Sequence, residues 1–312
     1  MVTRSARAAP EITATDDPGS YGHDGAETAL DRSLADVGGE PSRDRTDSST
    51  TRVLGVLDLF TLEEPVWTAD RLVEHLGLAR ATAYRYVKVL YEAGFLAPAA
   101  GGGYVLGPRF VEFDRQIRLA DPLLQVAPSI IAELRDKVAG AQVLSSFYGD
   151  RVLSMLSDVT DPKMPLQMER GRPFPLFFGA PSRIIVAYLP TYQLRNLLLN
   201  HGKEIADAGL GDNWQEFRTR LKAIRRAGHY VSSQLNKDVV GVAAPIFRAP
   251  NAVTASICLV RRKSVVKPED VPMMVEWAMD AGARISERLQ AFQRGASSGG
   301  ASTSFPTPRL GR

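Results

Sequence analysis

Apolar residues recur at helical spacing from the point where a long polar N-terminal stretch ends. Over residues 51–61 they fall three and four positions apart, which predicts a first helix. A second stretch of the same period starts after Thr68, a residue type that commonly caps the N-terminus of a helix. It ends at Gly77, because glycine readily takes the left-handed conformation that closes a helix.

A third helical pattern follows almost at once and leads into a predicted hairpin. This helix covers Arg80–Ala93 with Gly94 at its end, and short apolar stretches lie on both sides of a turn over Pro98–Gly103. Two helices joined by a tight turn and followed by a hairpin are typical of a winged helix-turn-helix. The sequence therefore predicts such a domain over residues 51–107, with its third helix in the major groove of DNA.

The rest of the chain alternates predicted helices and strands. Residues 108–139 have a helical pattern with a break at Asp121-Pro122, since proline is accepted at a helix start but not inside a helix. Strands are predicted at Gln142–Tyr148, Arg151–Ser157, Tyr230–Gln234, Val239–Phe247 and Ala252–Arg261, and helices at Ser182–Leu189, Asn213–Ala227 and Pro268–Phe292. This order predicts an α+β fold, with a linker helix over 108–121 and a sensor-like domain over 122–292.

Both ends of the chain differ from this body in composition and charge. Residues 1–50 and 293–312 are rich in small and polar residues, and we expect them to be disordered because they cannot bury enough apolar area. The first segment carries five arginines and ten acidic residues, a net charge of −5; the whole chain is +3, so the remainder is +8. A basic body fits a nucleic-acid partner, and it fits ordinary solubility equally well.

Several classes of site and location receive no support from the sequence. Cys258 is the single cysteine and the four histidines lack metal-ligand spacing, so we expect no metal and no cofactor. No apolar run approaches the roughly 20 residues of a membrane span and no secretory leader is visible, so we expect a cytoplasmic protein. A nucleophile elbow and a convincing pair of catalytic carboxylates are both missing, so we do not expect an enzyme.

The exposed face of the third helix holds the candidate DNA contacts. Arginine can pair with a guanine edge, while threonine and tyrosine can contact phosphates or bases. Together with two positions of the wing, the candidates are Arg80, Thr82, Tyr84, Arg85, Lys88, Gly102 and Tyr104. The alternative is that these residues form only a solvent-exposed helix face. The order of the surrounding elements argues against this alternative. Because residues 51–107 carry five basic and six acidic groups, this interpretation depends on placement and not on domain charge.

Seven short segments follow the pattern of one known family in order along the chain. They are Leu76–Arg85, Leu90–Leu96, Gly103–Gly107, Gly171–Leu176, Ile184–Pro190, Ile224–Tyr230 and Gly241–Phe247. Over about residues 51–292 the chain thus resembles the IclR family of bacterial transcriptional regulators. The resemblance implies a GAF-like C-terminal domain that binds a small-molecule effector, often an organic or aromatic acid from a catabolic pathway. It also implies homodimers or homotetramers on a pseudo-palindromic operator in double-stranded DNA.

The resemblance further implies which residues line the effector pocket. In the family these come from a helix start after a Gly-Arg-Pro-like turn and from the central strands. On this chain the corresponding positions are Phe174, Phe178, Gly179, Ala180, Pro181, Gly241, Cys258 and Val260.

This chain departs from the family pattern at several of these positions. Phe177 and Phe178 stand where a histidine is common, and Gly241 stands where serine or cysteine is usual. Because a buried polar group without a partner costs about 1–3 kcal/mol, we expect a more apolar or aromatic ligand than a small keto acid. The alternatives are that the phenylalanines belong to the core and that Cys258 is an inert buried thiol. An enzyme acting on a small molecule, or a regulator that needs no effector, also remains open.

Overall fold

The structure is a computed structural model that describes residues 49–165 and 168–298. The two ends that we expect to be disordered therefore lie mostly outside the described residues, and only their inner edges can be compared with the prediction. Within the described part, no helix is both long enough and apolar enough to cross a membrane.

The N-terminal unit, residues 49–107, contains three helices followed by a hairpin. The helices are α1 (Ser49–Gly55), which continues into a 3-10 turn (Val56–Leu59), α2 (Ala69–Leu76) and α3 (Arg80–Glu92), and the antiparallel strands are β1 (Leu96–Pro98) and β2 (Tyr104–Leu106). Their apolar sides enclose a small core around Trp67, whose indole Nε1 donates to the Leu59 carbonyl at 2.8 Å. The predicted winged helix-turn-helix is confirmed.

The turn between α2 and α3 forms for local reasons that the sequence shows. The Thr68 hydroxyl accepts a hydrogen bond from the backbone N–H of Arg71 at 3.2 Å and so caps α2. Gly77 ends the same helix with a φ of 59°, a left-handed conformation that costs other residues roughly 1–2 kcal/mol. These two residues fix where α2 starts and stops, and therefore where α3 begins.

Two helices connect this unit to the rest of the chain. They are α4 (Arg109–Ala120) and α5 (Pro122–Arg135). The break predicted at Asp121-Pro122 is confirmed: the Asp121 carboxylate accepts from the N–H of Leu123 at 2.9 Å, and Pro122 occupies the first turn of α5, where no N–H is needed. None of the twelve residues of α4 is buried. This helix therefore contributes little to either core.

The C-terminal unit, residues 122–298, is built on a six-stranded antiparallel sheet in the order β5-β4-β3-β8-β7-β6. The strands are β3 (Ala141–Phe147), β4 (Val152–Val159), β5 (Pro173–Phe174), β6 (Tyr230–Ser232), β7 (Val239–Ala249) and β8 (Ala252–Arg262). One face of the sheet packs against α5 and α9 (Asp270–Ser298), and the other against α6 (Gly179–Val186). Helices α7 (Thr191–Asp207) and α8 (Trp214–Ala227) add apolar residues to the cluster on the α6 side. The α+β prediction is confirmed.

Several elements differ from the sequence-based expectation. Helix α6 begins at Gly179, before the predicted start at Ser182, because Pro181 stands in the first turn, where its missing N–H is not needed. The sequence pattern does not predict α7, whose regular period is broken at His201, a residue with a non-helical φ of −131°. Strand β5 has two residues and is too short to give a periodic signal.

The closing helix is longer than predicted. Helix α9 continues past Phe292 to Ser298, so the prediction of a disordered tail from residue 293 is wrong for residues 293–298. Lengthening an existing helix needs no new nucleation, so a weak helix former such as Gly295 is added at small cost. At the other end, α1 begins at Ser49, two residues before the predicted start.

Candidate nucleic-acid interface and ligand cavity

The side of α3 that faces away from the core carries the candidate DNA contacts. Four of the five helix residues predicted from the sequence are exposed: Arg80, Tyr84, Arg85 and Lys88. Thr82 is half-buried at the edge of the same surface. Ala81, which is not among the predicted contacts, is also exposed in the first turn of α3.

The three cations of this surface differ in their partners. Arg80 Nη2 lies 2.8 Å from the Asp70 carboxylate, and Lys88 Nζ lies 3.8 Å from that of Glu92. Both pairs are exposed, and such pairs contribute only about 0–1 kcal/mol, so a phosphate could replace either acid at little cost. Arg85 has no acid within ion-pair distance among the described residues, and its guanidinium lies 5.9 Å from the Tyr86 ring centre.

The N-terminus of α3 is open to an anion. Ala79 occupies the N-cap position, and no side chain caps the helix there. The first backbone N–H groups of a helix have no partner inside it, and together with the helix dipole they favour a negative group such as a phosphate. The first turn of α3 therefore combines an exposed position, the positive charge of Arg80 and backbone N–H groups that no side chain caps.

The hairpin wing is held against α3 but carries no charge at its tip. Trp67 and Tyr104 exchange backbone hydrogen bonds of 3.0 and 2.8 Å, and the Tyr104 ring packs 6.4 Å from that of Tyr91 on α3. Tyr104 is therefore half-buried and holds the wing in place. Gly102 is exposed at the tip, and residues 99–103 are all alanine or glycine. The wing can thus offer a nucleic acid backbone N–H groups but no cation.

A cavity of about 30 Å³ lies between α6 and the central strands of the sheet. Its lining is mostly apolar and consists of Val143, Met168, Phe174, Gly179, Ala180, Pro181, Ser232, Ser233, Leu235, Val239, Gly241, Cys258 and Val260. The structure brings together seven of the eight residues predicted for the effector pocket. The exception is Phe178, which is not in this lining: it occupies the N-cap position of α6 and packs against the core. Phe177 is a core residue, 1% exposed.

Leu235 closes the cavity, and the sequence pattern does not indicate this role. Gly179 has a φ of 77°, and a Cβ placed there would stand 2.4 Å from Cδ1 of Leu235. The leucine side chain therefore occupies the space beside the start of α6. It belongs to the irregular segment between β6 and β7, where no periodic signal marks a side chain as inward-facing. A molecule larger than a water requires this side chain to move.

The chemistry of the cavity is neutral over its described lining. Ser232 and Ser233 bring hydroxyl groups, and Cys258 brings a thiol. Burial raises the pKa of the Cys258 thiol to about 12, so the thiol stays protonated at neutral pH. The buried hydroxyls of Ser145 and Ser182 have no hydrogen-bond partner among the described residues. They are unused polar groups on the elements that form the cavity.

A buried cation, Arg183, ties together the segments around α6. Its side chain is largely inaccessible, and Nε donates to the Phe177 carbonyl at 2.8 Å, Nη1 to the Tyr230 hydroxyl at 2.5 Å, and Nη2 to the Ala208 carbonyl. The guanidinium thus joins the turn before α6, strand β6 and the end of α7. Because its donors are used in this way, Arg183 is a structural cation and not part of the cavity lining.

Comparison with known protein families identifies the two domains that carry the α3 surface and the cavity. Residues 49–99 match the family model described as the IclR helix-turn-helix domain, and residues 120–287 match the bacterial transcriptional regulator IclR C-terminal model. The chain belongs to the IclR family. The resemblance inferred from the sequence segments is thereby confirmed.

Individual relatives of this IclR-family chain agree over most of its length. It is 25% identical to the transcriptional regulator KipR of Bacillus subtilis over 244 residues, which cover 78% of this chain and 97% of KipR. The crystal structure of an IclR regulator from Silicibacter superposes with a TM-score of 0.65 at 20% identity, covering 78% and 96% of the two chains. An IclR homologue from Microbacterium hydrocarbonoxydans, complexed with 4-hydroxybenzoate, gives 0.63 at 21%, covering 78% and 100%.

Family membership and geometry together give the function in outline. The protein is a DNA-binding transcriptional regulator with an N-terminal helix-turn-helix domain and a C-terminal effector-binding domain. The predicted function and fold class are confirmed at this level.

Proposed function

We propose that this regulator binds operator DNA by inserting the exposed face of α3 into the major groove. Arg85 is the observation that carries the proposal, because this exposed cation on the second helix of the helix-turn-helix has no acid partner in the described part of the chain. Thr82 and Tyr84 contact base edges or phosphates beside it, while Arg80 and Lys88 exchange their exposed acid partners for phosphates. The exposed backbone of Gly102 at the wing tip, whose own N–H is used within the turn, approaches the DNA backbone, and Tyr104 positions the wing.

Footprinting on the DNA upstream of the protein's own gene tests this arrangement. A dimer with two copies of α3 should protect two half-sites whose centres lie about 34 Å apart, one turn of the duplex. The half-sites should form a pseudo-palindrome. Protection spread evenly along the fragment would argue against sequence-specific insertion of α3.

We propose that α4 is the surface through which two copies associate. A twelve-residue helix that buries none of its own side chains is marginal in isolation, so another surface must stabilise it. Its exposed apolar residues include Val111 at 70%, Leu119 at 58% and Ile117 at 49%. A second copy of the same helix would cover them, giving a homodimer that can pair further into a homotetramer.

Introducing charges on α4 should separate the copies. The double substitution Val111→Lys and Leu119→Lys places like charges on both sides of the proposed interface, and we expect dimer dissociation to become at least about tenfold easier. Light scattering coupled to size-exclusion chromatography measures this. Leu199→Lys, at an 82% exposed position on α7, is the control and should leave the mass unchanged. A dimer that survives the double substitution would place the interface elsewhere.

We propose that the effector is a compact, uncharged aromatic compound bound in the cavity beside α6. A family member with the same fold has been crystallised with 4-hydroxybenzoate, which carries a carboxylate. On this chain the described lining holds no cation to balance such a charge. The hydroxyls of Ser232 and Ser233, which belong to the lining, could instead satisfy a neutral oxygen, for example that of a phenol.

A matched pair of ligands tests this proposal. Isothermal titration calorimetry should show that 4-methylphenol binds at least about tenfold more tightly than 4-hydroxybenzoate, because desolvation of an unpaired carboxylate opposes its entry. The two compounds share the phenol ring and differ in the group opposite the hydroxyl. Tighter binding of 4-hydroxybenzoate would show that the cavity supplies a cation after all.

Removing the Leu235 side chain should improve ligand binding. A cavity of about 30 Å³ admits a water molecule, whereas cavities known to hold a benzene ring measure about 150 Å³. Because Leu235→Ala opens space beside Gly179, we expect 4-methylphenol to bind about fivefold to tenfold more tightly to this variant. Leu199→Ala, at an exposed position, is the control. Unchanged or weaker binding would mean that the ligand enters somewhere else.

We propose that the effector is bound and released unchanged, in the bacterial cytoplasm where the target DNA lies. The described cavity lining contains hydroxyls and a thiol held protonated by burial, but no charged acid or base next to them. A group that transfers protons near neutral pH is needed for most catalysis on a small molecule. Chromatography of 4-methylphenol after prolonged incubation with the protein should therefore recover it intact.

A further inference from the structure

An ion pair joins the linker helix α4 to the C-terminal unit close to the cavity. Arg170 Nε lies 2.6 Å from Oδ1 of Asp114 on α4, and its Nη1 donates to the Met155 carbonyl at 2.7 Å. The arginine side chain is 23% exposed and that of Asp114 40%. A partly desolvated pair of this kind is screened less by water and salt than a surface pair.

The segment that carries Arg170 also forms part of the cavity wall. Met168, two residues earlier, is buried in the cavity lining, and its carbonyl accepts from the Ser154 hydroxyl at 2.8 Å. A tight turn follows, closed by the Arg172 N–H on the Glu169 carbonyl at 3.1 Å. The Gly171 N–H also donates to the Ser154 carbonyl at 2.8 Å, which ties this turn to β4. Met168 and Arg170 therefore belong to one short hydrogen-bonded segment between the cavity and α4.

The other side of α4 touches the DNA-binding unit. The rings of Phe110 and Phe113, in the first half of the helix, pack 5.4 and 5.9 Å from Phe95 at the end of the α3–β1 connection. Asp114 follows Phe113 directly. A change at Asp114 therefore acts on a helix that packs against the winged helix.

We propose that Arg170 transmits the occupancy of the cavity to the DNA-binding unit through its ion pair with Asp114. The mechanism rests on the proposed function, since it requires that a ligand in the cavity controls DNA binding. A ligand that displaces Met168 draws Arg170 away from α4. Asp114 keeps a second partner, Arg118, whose Nε lies 2.9 Å from its other oxygen, so the carboxylate is not left unpaired. The pair can therefore open and close at modest cost, as a switch requires.

A double-mutant cycle tests the coupling without a ligand. Met168→Ala alters the cavity wall at the residue that leads into the Arg170 turn, and its effect on the dissociation constant for the duplex upstream of the gene is measured in two backgrounds. In the otherwise unchanged protein we expect a shift of about fivefold or more, as is typical of coupled sites. In the Arg170→Gln background we expect the shift to fall below about twofold. Arg170→Lys, which keeps the charge, should retain part of it.

Arg220→Gln is the matched control, since it removes one positive charge from an exposed position of α8, away from the pair and from the proposed dimer surface on α4. The Met168→Ala shift should persist in this background. A shift that survives undiminished in Arg170→Gln, or that is absent from the unchanged protein, would overturn the proposal. Hydrogen exchange of the α4 amides in the same variants measures the coupling in the absence of DNA.

If 4-methylphenol fails to bind, the proposed ligand class is rejected. The mutant cycle still tests the coupling in that case, because it uses no ligand.

Discussion

Replacing Arg85 by alanine should weaken binding to operator DNA by about 10- to 100-fold without disturbing the fold. A well-placed arginine contact to a base contributes about 1–3 kcal/mol, and Arg85 is exposed on α3 with no acid from the described residues to neutralise it. Arg80→Ala should have a smaller effect, because Arg80 must first give up its 2.8 Å pair with Asp70. Fluorescence anisotropy at one fixed salt concentration measures both.

The control for Arg85→Ala is Arg218→Ala on α8, which removes the same charge from an exposed position in the other unit. It should change the dissociation constant by less than about twofold if placement matters more than net charge. The pattern of loss also separates two roles for Arg85. Loss of preference at one base pair identifies a base contact, and uniform weakening over all sequences identifies a phosphate contact. Equal effects of the two substitutions would contradict the placement of α3.

Replacing Arg183 by leucine should destabilise the C-terminal unit by about 2–4 kcal/mol. The substitution leaves the buried carbonyls of Phe177 and Ala208 without a donor, and each such group costs about 1–3 kcal/mol. The guanidinium no longer has to be desolvated, which offsets part of this loss. Urea denaturation followed by tryptophan fluorescence of Trp214 and Trp277 gives the free energy of unfolding.

Two further variants make the Arg183 prediction specific. Arg183→Lys keeps the charge but offers donors from a single nitrogen, so it should fall between the leucine variant and the unchanged protein. Arg220→Leu, at an exposed position on α8, should change the free energy of unfolding by less than about 0.5 kcal/mol. If Arg183→Leu proves as stable as the unchanged protein, the three hydrogen bonds do not hold α6 in place.

The N-terminal unit could be predicted closely because its signals are local. Thr68 and Gly77 act on neighbours within a few residues, so each is readable without knowledge of the fold. The acidic partners of the candidate cations were harder to predict from the sequence. Asp70 is ten residues from Arg80 and meets it only because α2 and α3 fold back on each other. The sequence shows a basic face, and the structure shows that Arg80 and Lys88 are paired with acids whereas Arg85 has no acid partner within residues 49–165 and 168–298.

The C-terminal unit was predicted in outline but not in its decisive contacts. The family resemblance supplied most of the cavity positions, because the helix start after the Gly-Arg-Pro turn and the central strands recur in order along the chain. The roles of Leu235 and Arg183 could not be predicted from the sequence. Each side chain contacts residues that are far away along the chain, and neither contact follows a helical or strand period. Helix α7 escaped prediction because its non-helical residue, His201, interrupts the apolar spacing.

Competition between specific and random DNA tests the central claim most directly. The unchanged protein is titrated, by fluorescence anisotropy at near-physiological salt, against the duplex upstream of its own gene and against a shuffled duplex of equal length and composition. The specific duplex should bind at least about 10³-fold more tightly, as operator-binding proteins do. Saturating 4-methylphenol should change that ratio. Equal affinity for the two duplexes would contradict the assignment of α3 as a sequence-reading helix.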